Sequence, residues 1–566
     1  MPSHKQSECR RQVNNRYRLY ERQSWGRYQI QNFDEDRVFG SFVYTTNPEP
    51  IKFGDFVPLH LGCQWEIKMQ KQQKRARSFA LFIILGLMAF GASGSRSQQL
   101  EDSNQTNQQS GHEKNRVAPK AESAAAPVKI MQAPLKSELE ELALPGVASR
   151  TCVGAGGRMV FLLIPDLKKL AVFEVEKSKI THYLSVPQAD SHIAAGMDKL
   201  FIASQSSGTL ERYDLESLKK DVTAKLPVQG KIGSLLMGSA SIGPLFICGV
   251  DGMLAVDSIS LTEHPFKWLN HNGESSDHSP FSFANDAPKL RISANGRVIV
   301  NCGGRGGLSI FRRQGNHTFI GVEAPNSGGR IQNGIPSADG RVIYGDGQVF
   351  NVTGVPISKR SRDGSNNGWF VPSIENAFYV SLQQLGNRNN TLELGLGIGI
   401  QGQDQSVINI KESNGLDGLV SYPSGQIAPF DQHIFFVPDA NVLAVLPLSK
   451  DKLFLYRIDI EKQLDEAGID YLIVVSQPPN EVVPGKEMKY QIEARAKKGK
   501  VEFILESAPD AMTLSADGLV EWPVPADFED DEVNVIITLR DSSGQQIFHN
   551  LKMEKCDPSN GTSPKE

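Results

Sequence analysis

The chain has 566 residues, a formal net charge of −4, 51 glycines and six cysteines. That length exceeds what one hydrophobic core serves, so two or more folded units with linkers are expected. Lys and Arg are scattered beyond residue 100, which argues against the basic stripe that nucleic acid requires. The cysteines lie far apart without a Cys-x-x-Cys pair, which argues against a zinc ribbon or a disulfide-dense scaffold.

Residues 1–68 are rich in Arg, Gln, Asn and Tyr with little periodic patterning. They are expected to be disordered, or to be an extension ahead of a true start at Met69. Residues 69–95 then run basic, apolar, small: Lys71, Lys74, Arg75 and Arg77, the stretch Phe79 to Ala92, and Ser93 and Gly94. A helix over that stretch spans about 21 Å, short of a hydrocarbon core of about 30 Å, which favours a cleaved signal segment over a permanent anchor. In either case the basic flank sends the chain beyond residue 95 across the membrane, so the protein is expected to be exported, to the periplasm or cell surface. Residues 96–143 are mostly small and polar and read as a flexible linker. Within it, Ser137 to Leu144 has the pattern of a short helix with Ser137 as N-cap and Glu140 completing a capping box.

From about residue 144 to 465 a turn followed by a short apolar strand recurs. The seven copies begin at Gly157, Met197, Gly243, Gly296, Gly340, Glu375 and Gln432. Their mean spacing of about 46 residues is that of four-stranded propeller blades. In several copies the next strand also matches: Leu170 to Val175, Leu210 to Leu215, Leu308 to Arg312 and Leu453 to Ile458. Ser-Ala-Asn-Gly-Arg (293–297) and Ser-Ala-Asp-Gly-Arg (337–341) set Asn-Gly and Asp-Gly where hairpins need positive φ. By this rhythm the region resembles the WD-repeat-like and quinoprotein-dehydrogenase-like seven-bladed propellers of exported bacterial proteins. The resemblance implies no catalytic residues, because the motifs of the catalytic propellers are missing.

The longest insertion, Glu263 to Phe283, carries His264, Trp268, His271, Asp277 and His278. No pair has the spacing of a metal-binding helix, so these residues read as a partner-contacting loop or a plain surface loop. Gly303 to Gly307 and the glycines of Leu392 to Gly402 are followed by no helix and read as a hairpin and a Gly-rich strand, not as phosphate cradles.

Beyond Ile469 the rhythm stops, and strands are expected near Tyr471–Val475, Glu487–Ala494, Val501–Glu506, Leu519–Trp522, Val533–Arg540 and Ile547–Met553. The landmarks are Pro484-Gly485, Tyr490, Ala508 to Met512, Asp517 to Pro523, and Asp541 with Gly544. They resemble the dystroglycan-type cadherin-like, or immunoglobulin-like, repeat over residues 470–555. Asp527, Glu529, Asp530 and Asp531 offer hard oxygen ligands for calcium, but the paired-domain carboxylate motifs of true cadherins are missing. Residues 556–566 read as a disordered tail.

The reading is therefore an all-β chain: a seven-bladed β-propeller plus a C-terminal immunoglobulin/cadherin-like β-sandwich, after a disordered N-terminal region and one hydrophobic targeting helix. The function expected is an exported or membrane-tethered, non-catalytic binding or scaffold protein, whose partner is a protein or polysaccharide of the cell envelope. No cofactor is expected except calcium. The alternatives are a propeller enzyme, a hydrolase or lyase with a central-channel site, and a calcium-dependent adhesion protein.

Overall fold

A computed structural model describes residues 29–31, 41–43 and 130–555, less 251, 271–272, 277–288, 305–306, 315–317, 324–330, 359–367, 376, 389–390, 402–405, 411–413 and 421–426. The targeting segment 69–95, the tail 556–566 and most of the linker lie outside the described residues. Among the described residues no helix is long and apolar enough to cross a membrane. In the N-terminal unit, Gln29–Gln31 pairs antiparallel with Ser41–Val43, inside the segment expected to be disordered.

The second unit is built almost wholly from short strands. Between residues 139 and 457 they form seven successive sheets of three to six strands. The first strand of each is Arg150–Gly154, His192–Ala195, Ile232–Leu236, Lys289–Ile292, Ile335–Pro336, Trp369–Pro372 and Ile434–Val437. Alternating apolar residues let each sheet bury both faces against its neighbours. Seven apolar clusters result, one at each junction, and the last sets Val160 and Leu162 of the first sheet against Val437 and Ala444 of the seventh. Backbone hydrogen bonds join the turns of neighbouring sheets, as from Ala155 N to Gly196 O at 2.8 Å and from Ala240 N to Ala294 O at 2.8 Å. The Asn-Gly and Asp-Gly turns form as expected, with Gly296 at φ +75° and Gly340 at φ +69°.

The repeat rhythm found the second strand of six sheets. In the seventh it landed one strand early: Gln432 to Phe436 leads into the innermost strand, and the second strand is Val442–Val445. Both segments follow a turn and are apolar throughout, so local pattern does not separate them.

The expected helix at Ser137 to Leu144 is instead a strand. Leu139–Ala143 pairs antiparallel with Lys452–Arg457 and completes the seventh sheet. Half of the capping box survives without a helix, since Glu140 Oε1 accepts from Ser137 N at 3.3 Å and from Lys136 N at 2.5 Å. The linker reading is corrected from its far end as well, because Ile130 and Leu135 are buried in the cluster between the seventh and first sheets. The edge of Lys452–Arg457 has open backbone donors and acceptors, and satisfying them outweighs helix propensity in a five-residue segment.

A short helix, Ile460–Glu466, N-capped by Asp459 Oδ1 accepting from Lys462 N at 3.1 Å, leads out of the seventh sheet. It is followed by strands at or near every expected position from Leu472 to Lys555. A four-stranded and a three-stranded sheet enclose one core, in which Met512 and Trp522 are buried. Trp522 Nε1 donates to Asp510 O at 3.1 Å, and its ring meets Phe528 edge-on at 5.4 Å. Trp522→Phe is expected to cost about 1–2 kcal/mol in urea unfolding, from a cavity and an orphaned carbonyl; an unchanged midpoint would contradict this packing role.

Candidate functional site

The first strands of all seven sheets contribute to one cavity of about 240 Å³. Its lining is mostly apolar side chains and backbone, with Arg291 and Asp431 as its only charged side chains among the described residues. Arg291, on Lys289–Ile292, is 7% exposed. Its Nε donates to Asp431 Oδ1 at 2.7 Å and its Nη2 to Asn333 Oδ1 at 3.0 Å. Its Nη1 is buried without a hydrogen-bond partner. Burial acts to lower the guanidinium pKa, but the charges of Asp431 and Asp346 and the Asp431 hydrogen bond act to raise it and the balance is upward, so the group stays cationic. Cys302 sits close by, its Sγ accepting from Gly334 N at 3.0 Å, and burial pushes its thiol up to about 11 despite Arg291. Such a thiol is protonated and inert at neutral pH. Among the described residues Cys152, Cys248 and Cys302 form no disulfide with one another.

A second set of polar groups fixes the C-terminal sheets to the seven-sheet body. Arg297 ends the Ser-Ala-Asn-Gly-Arg turn, and its Nη1 and Nη2 reach Glu481 Oε1 and Glu554 Oε2, each at 2.5 Å. Arg341 ends the matching turn and acts electrostatically on His549 and Tyr490. From the other side, Arg495 pairs with Asp439 of the seventh sheet's turn and with Glu461 of the linking helix. Sequence pattern alone shows these turns only as hairpins. The signal that could have exposed the arginines is the twice-repeated box with the same cation at its end.

His549 is 8% exposed and its Nε2 lies 2.9 Å from Tyr490 Oη, which is 2.7 Å from Ser476 Oγ. His192, on the second sheet's first strand, lies 3.3 Å from Arg150 Nη2. Burial first, then the Arg150 and Arg341 charges respectively, holds both imidazoles down at about 4, against an ordinary 6.5. Between those values the unfolded chain binds protons that the folded chain does not, so stability is full above pH 6.5 and is lost as pH falls toward 4. Unfolding free energies from urea titrations are expected to fall by on the order of 2 kcal/mol per histidine between pH 7 and pH 4.5. His549→Gln keeps a partner for Tyr490 and should flatten about half of that slope; an unaltered slope would remove His549 from the account.

The predicted site residues fall in three places. His264 is half-buried beside Phe266, ring centroids 5.1 Å apart. Trp268, expected on a contact loop, is buried: Lys267–Leu269 is a strand that pairs parallel with Thr318–Glu323, and the indole stacks on Phe319 at 5.1 Å. It fills the junction of the third and fourth sheets, because an aromatic bounded by an apolar neighbour gains more from burial than from display. His271, Asp277 and His278 lie outside the described residues. Asp527, Glu529, Asp530 and Asp531 are exposed. Lys555 donates from Nζ to Glu529 O and from its backbone N to Asp531 O, both at 2.9 Å. Among the described residues no group of three or more His, Cys, Asp or Glu is gathered closely enough to hold a metal ion.

No protein-family model and no curated protein matches the chain. Among solved structures it is similar to the β-propeller domain of Myceliophteria thermophila Cps50 (Swd1), at 12% identity and TM-score 0.35, over 55% of this chain and 96% of that one. It is similar to Kuenenia stuttgartiensis hydrazine synthase, at 9% identity and TM-score 0.34, over 58% and 99% respectively. It is also similar to Kluyveromyces lactis Hsv2, at 14% identity and TM-score 0.33, over 52% and 88%. At this level of similarity neither activity nor partner passes from any of the three to this chain.

Proposed function

We propose that the seven sheets are the blades of a β-propeller, that residues 470–555 form an immunoglobulin/cadherin-like sandwich, and that the two together are a non-catalytic binding or scaffold protein. The observation that carries this reading is the double fixation of the sandwich, through Arg297 to Glu481 and Glu554 and through Arg495 to Asp439 and Glu461. A binding protein gains from presenting two broad surfaces in one fixed relation, since little ordering remains to oppose association. An enzyme needs reactive groups brought together, and the central cavity offers one ion pair. The basic, apolar, small order of residues 69–95 supports export or membrane tethering, with a protein or polysaccharide of the envelope as partner.

The test is fractionation of cells expressing the full chain with a C-terminal tag, followed by protease treatment of intact cells. Tag in the envelope or medium, and cleavable from outside, is the expected result. Recovery of the bulk in the cytosol overturns the export reading. Cross-linking in the same envelopes then compares wild type with Arg297→Ala: a partner held by the first and released by the second supports the two-surface scaffold, and equal capture by both overturns it.

A further inference from the structure

A second cavity, of about 1150 Å³, lies between the seven-sheet body and the sandwich. It is larger than the roughly 300–1,000 Å³ that small ligands occupy, and one of its walls is a strand edge. Ala494–Ala496 pairs antiparallel with Leu472–Val474 and has no strand on its other side. Val475 N donates to Glu493 O at 2.9 Å and Lys497 N donates to Tyr471 O at 3.0 Å, so Glu493, Arg495 and Lys497 are the hydrogen-bonded positions of this ladder. The intervening Ala494 and Ala496 therefore turn their N–H and C=O groups away from it. Among the described residues nothing pairs with those four groups, and both alanines are partly exposed and line the cavity.

The open edge is bounded at both ends. Ile492 N donates to Gly518 O at 2.9 Å ahead of it, and Ser542 N donates to Lys498 O at 3.0 Å beyond it. Ile492 to Lys498 covers about 20 Å of strand, the length of a six-residue segment. A small polar molecule meets one or two of the four groups, whereas an added strand supplies two donors and two acceptors at the right spacing.

Successive side chains of such a strand point to opposite sides, and the two sides of the cleft differ. On one, Arg495 reaches Asp439 Oδ1 at 2.5 Å and Glu461 Oε1 at 3.2 Å. With three more carboxylates, Glu493 and Asp517 among them, they outnumber the cations Arg495 and Lys500, so the cleft is net negative and favours Lys or Arg. On the other, Ala494 and Ala496 pack with Val501 and Phe503 against the sandwich core, which favours apolar residues.

We infer, on the reading of the chain as a binding protein, that this cleft takes an extended segment of a partner protein, with alternating basic and apolar residues, as an added strand along Ala494–Ala496.

Fluorescence anisotropy on the purified full chain tests it, so that a failure of export or of envelope cross-linking is read separately. The probes are a dye-labelled Lys-Val-Lys-Val-Lys-Val amide, the same peptide N-methylated along its backbone, and a Glu-Val-Glu-Val-Glu-Val amide. The first is expected to bind at least about tenfold more tightly than the other two, because methylation removes the donors and Glu reverses the charge. Ala494→Pro removes a donor that faces the cleft and leaves the ladder to Leu472–Val474 intact, as proline on a strand edge does. That variant should lose about tenfold or more in affinity while still unfolding cooperatively. Amide exchange at Ala494 and Ala496 in the wild-type chain should slow when the Lys-Val peptide is added. Equal binding by the methylated peptide, no binding of the Lys-Val peptide, or unaltered exchange at the two alanines would each overturn the inference. Self-association of the chain that the Lys-Val peptide disperses would make a second copy the occupant and overturn it as well.

Discussion

A chain beginning at Leu144 is expected to lose roughly 6 kcal/mol of stability and to associate with itself. The loss reflects the contribution of residues 130–143. Ile130 and Leu135 are buried in the cluster that joins the seventh sheet to the first, where Leu142 packs partly buried, and Leu139 packs partly buried against the cluster between the sixth and seventh sheets. Full burial of such side chains stabilises by about 1.5–3 kcal/mol each, and partial burial by less. Removal also strips Lys452–Arg457 of its outer partner, baring backbone donors and acceptors along an edge whose inner neighbour is the buried strand Val442–Val445. An exposed edge of that kind recruits a second chain. Urea unfolding and size-exclusion chromatography of the truncated and full chains check both halves of the statement. Adding the peptide of residues 130–143 should restore the monomer, because the missing strand binds the edge it left. A truncated chain with an unaltered midpoint and elution volume would mean that the strand only decorates the sheet.

How much of this was legible beforehand depended on the range of the interaction. Strands paired by hairpins were found because alternation and turn chemistry lie within a few residues, as in Ser293 to Arg297, where Ser293 Oγ accepts from Val298 N at 3.0 Å. Strands whose partner is remote were missed. Glu141 meets Lys452 across 311 residues, and nothing near Glu141 in sequence announces it. The same holds for Lys267–Leu269, whose parallel partner Thr318–Glu323 follows in the sequence only after four other strands of the same sheet. The candidate site was illegible for a related reason: Arg291 is on the first strand of the fourth sheet, Asn333 lies just ahead of the fifth sheet and Asp431 in the turn Phe430–Gln432 ahead of the seventh, and only the arrangement of those sheets brings them together. Gly399 is a partial exception. The sequence showed its glycine run, but only the fold shows that a Cβ there would strike the Tyr379 ring at 2.0 Å.

Arg297→Ala is expected to split one unfolding transition into two. The guanidinium is 12% exposed, and the side chains of Glu481 and Glu554 are 31% and 24% exposed, so the triad is largely withdrawn from water. Removing this cation deprives Glu481 and Glu554 of the charge they share, which costs about 3–5 kcal/mol when fully buried; partial exposure brings this to roughly 3 kcal/mol. The sandwich has its own core around Trp522, so it remains folded after losing this contact. What changes is its coupling to the seven-sheet body, now carried by Arg495 and by the packing of Ile460, Leu464 and Tyr471 against the sixth and seventh sheets. Scanning calorimetry should resolve a lower transition for the sandwich, and limited proteolysis should begin to cut between residues 466 and 472. Arg297→Lys should lie between the two, since one ammonium cannot meet both carboxylates in the forked geometry of a guanidinium. Replacing Glu481 and Glu554 with Gln in the Ala variant should recover part of the loss by removing the two carboxylate charges. A single transition at the wild-type temperature would show that apolar packing alone holds the two bodies together, and the electrostatic account of their fixation would fall with it.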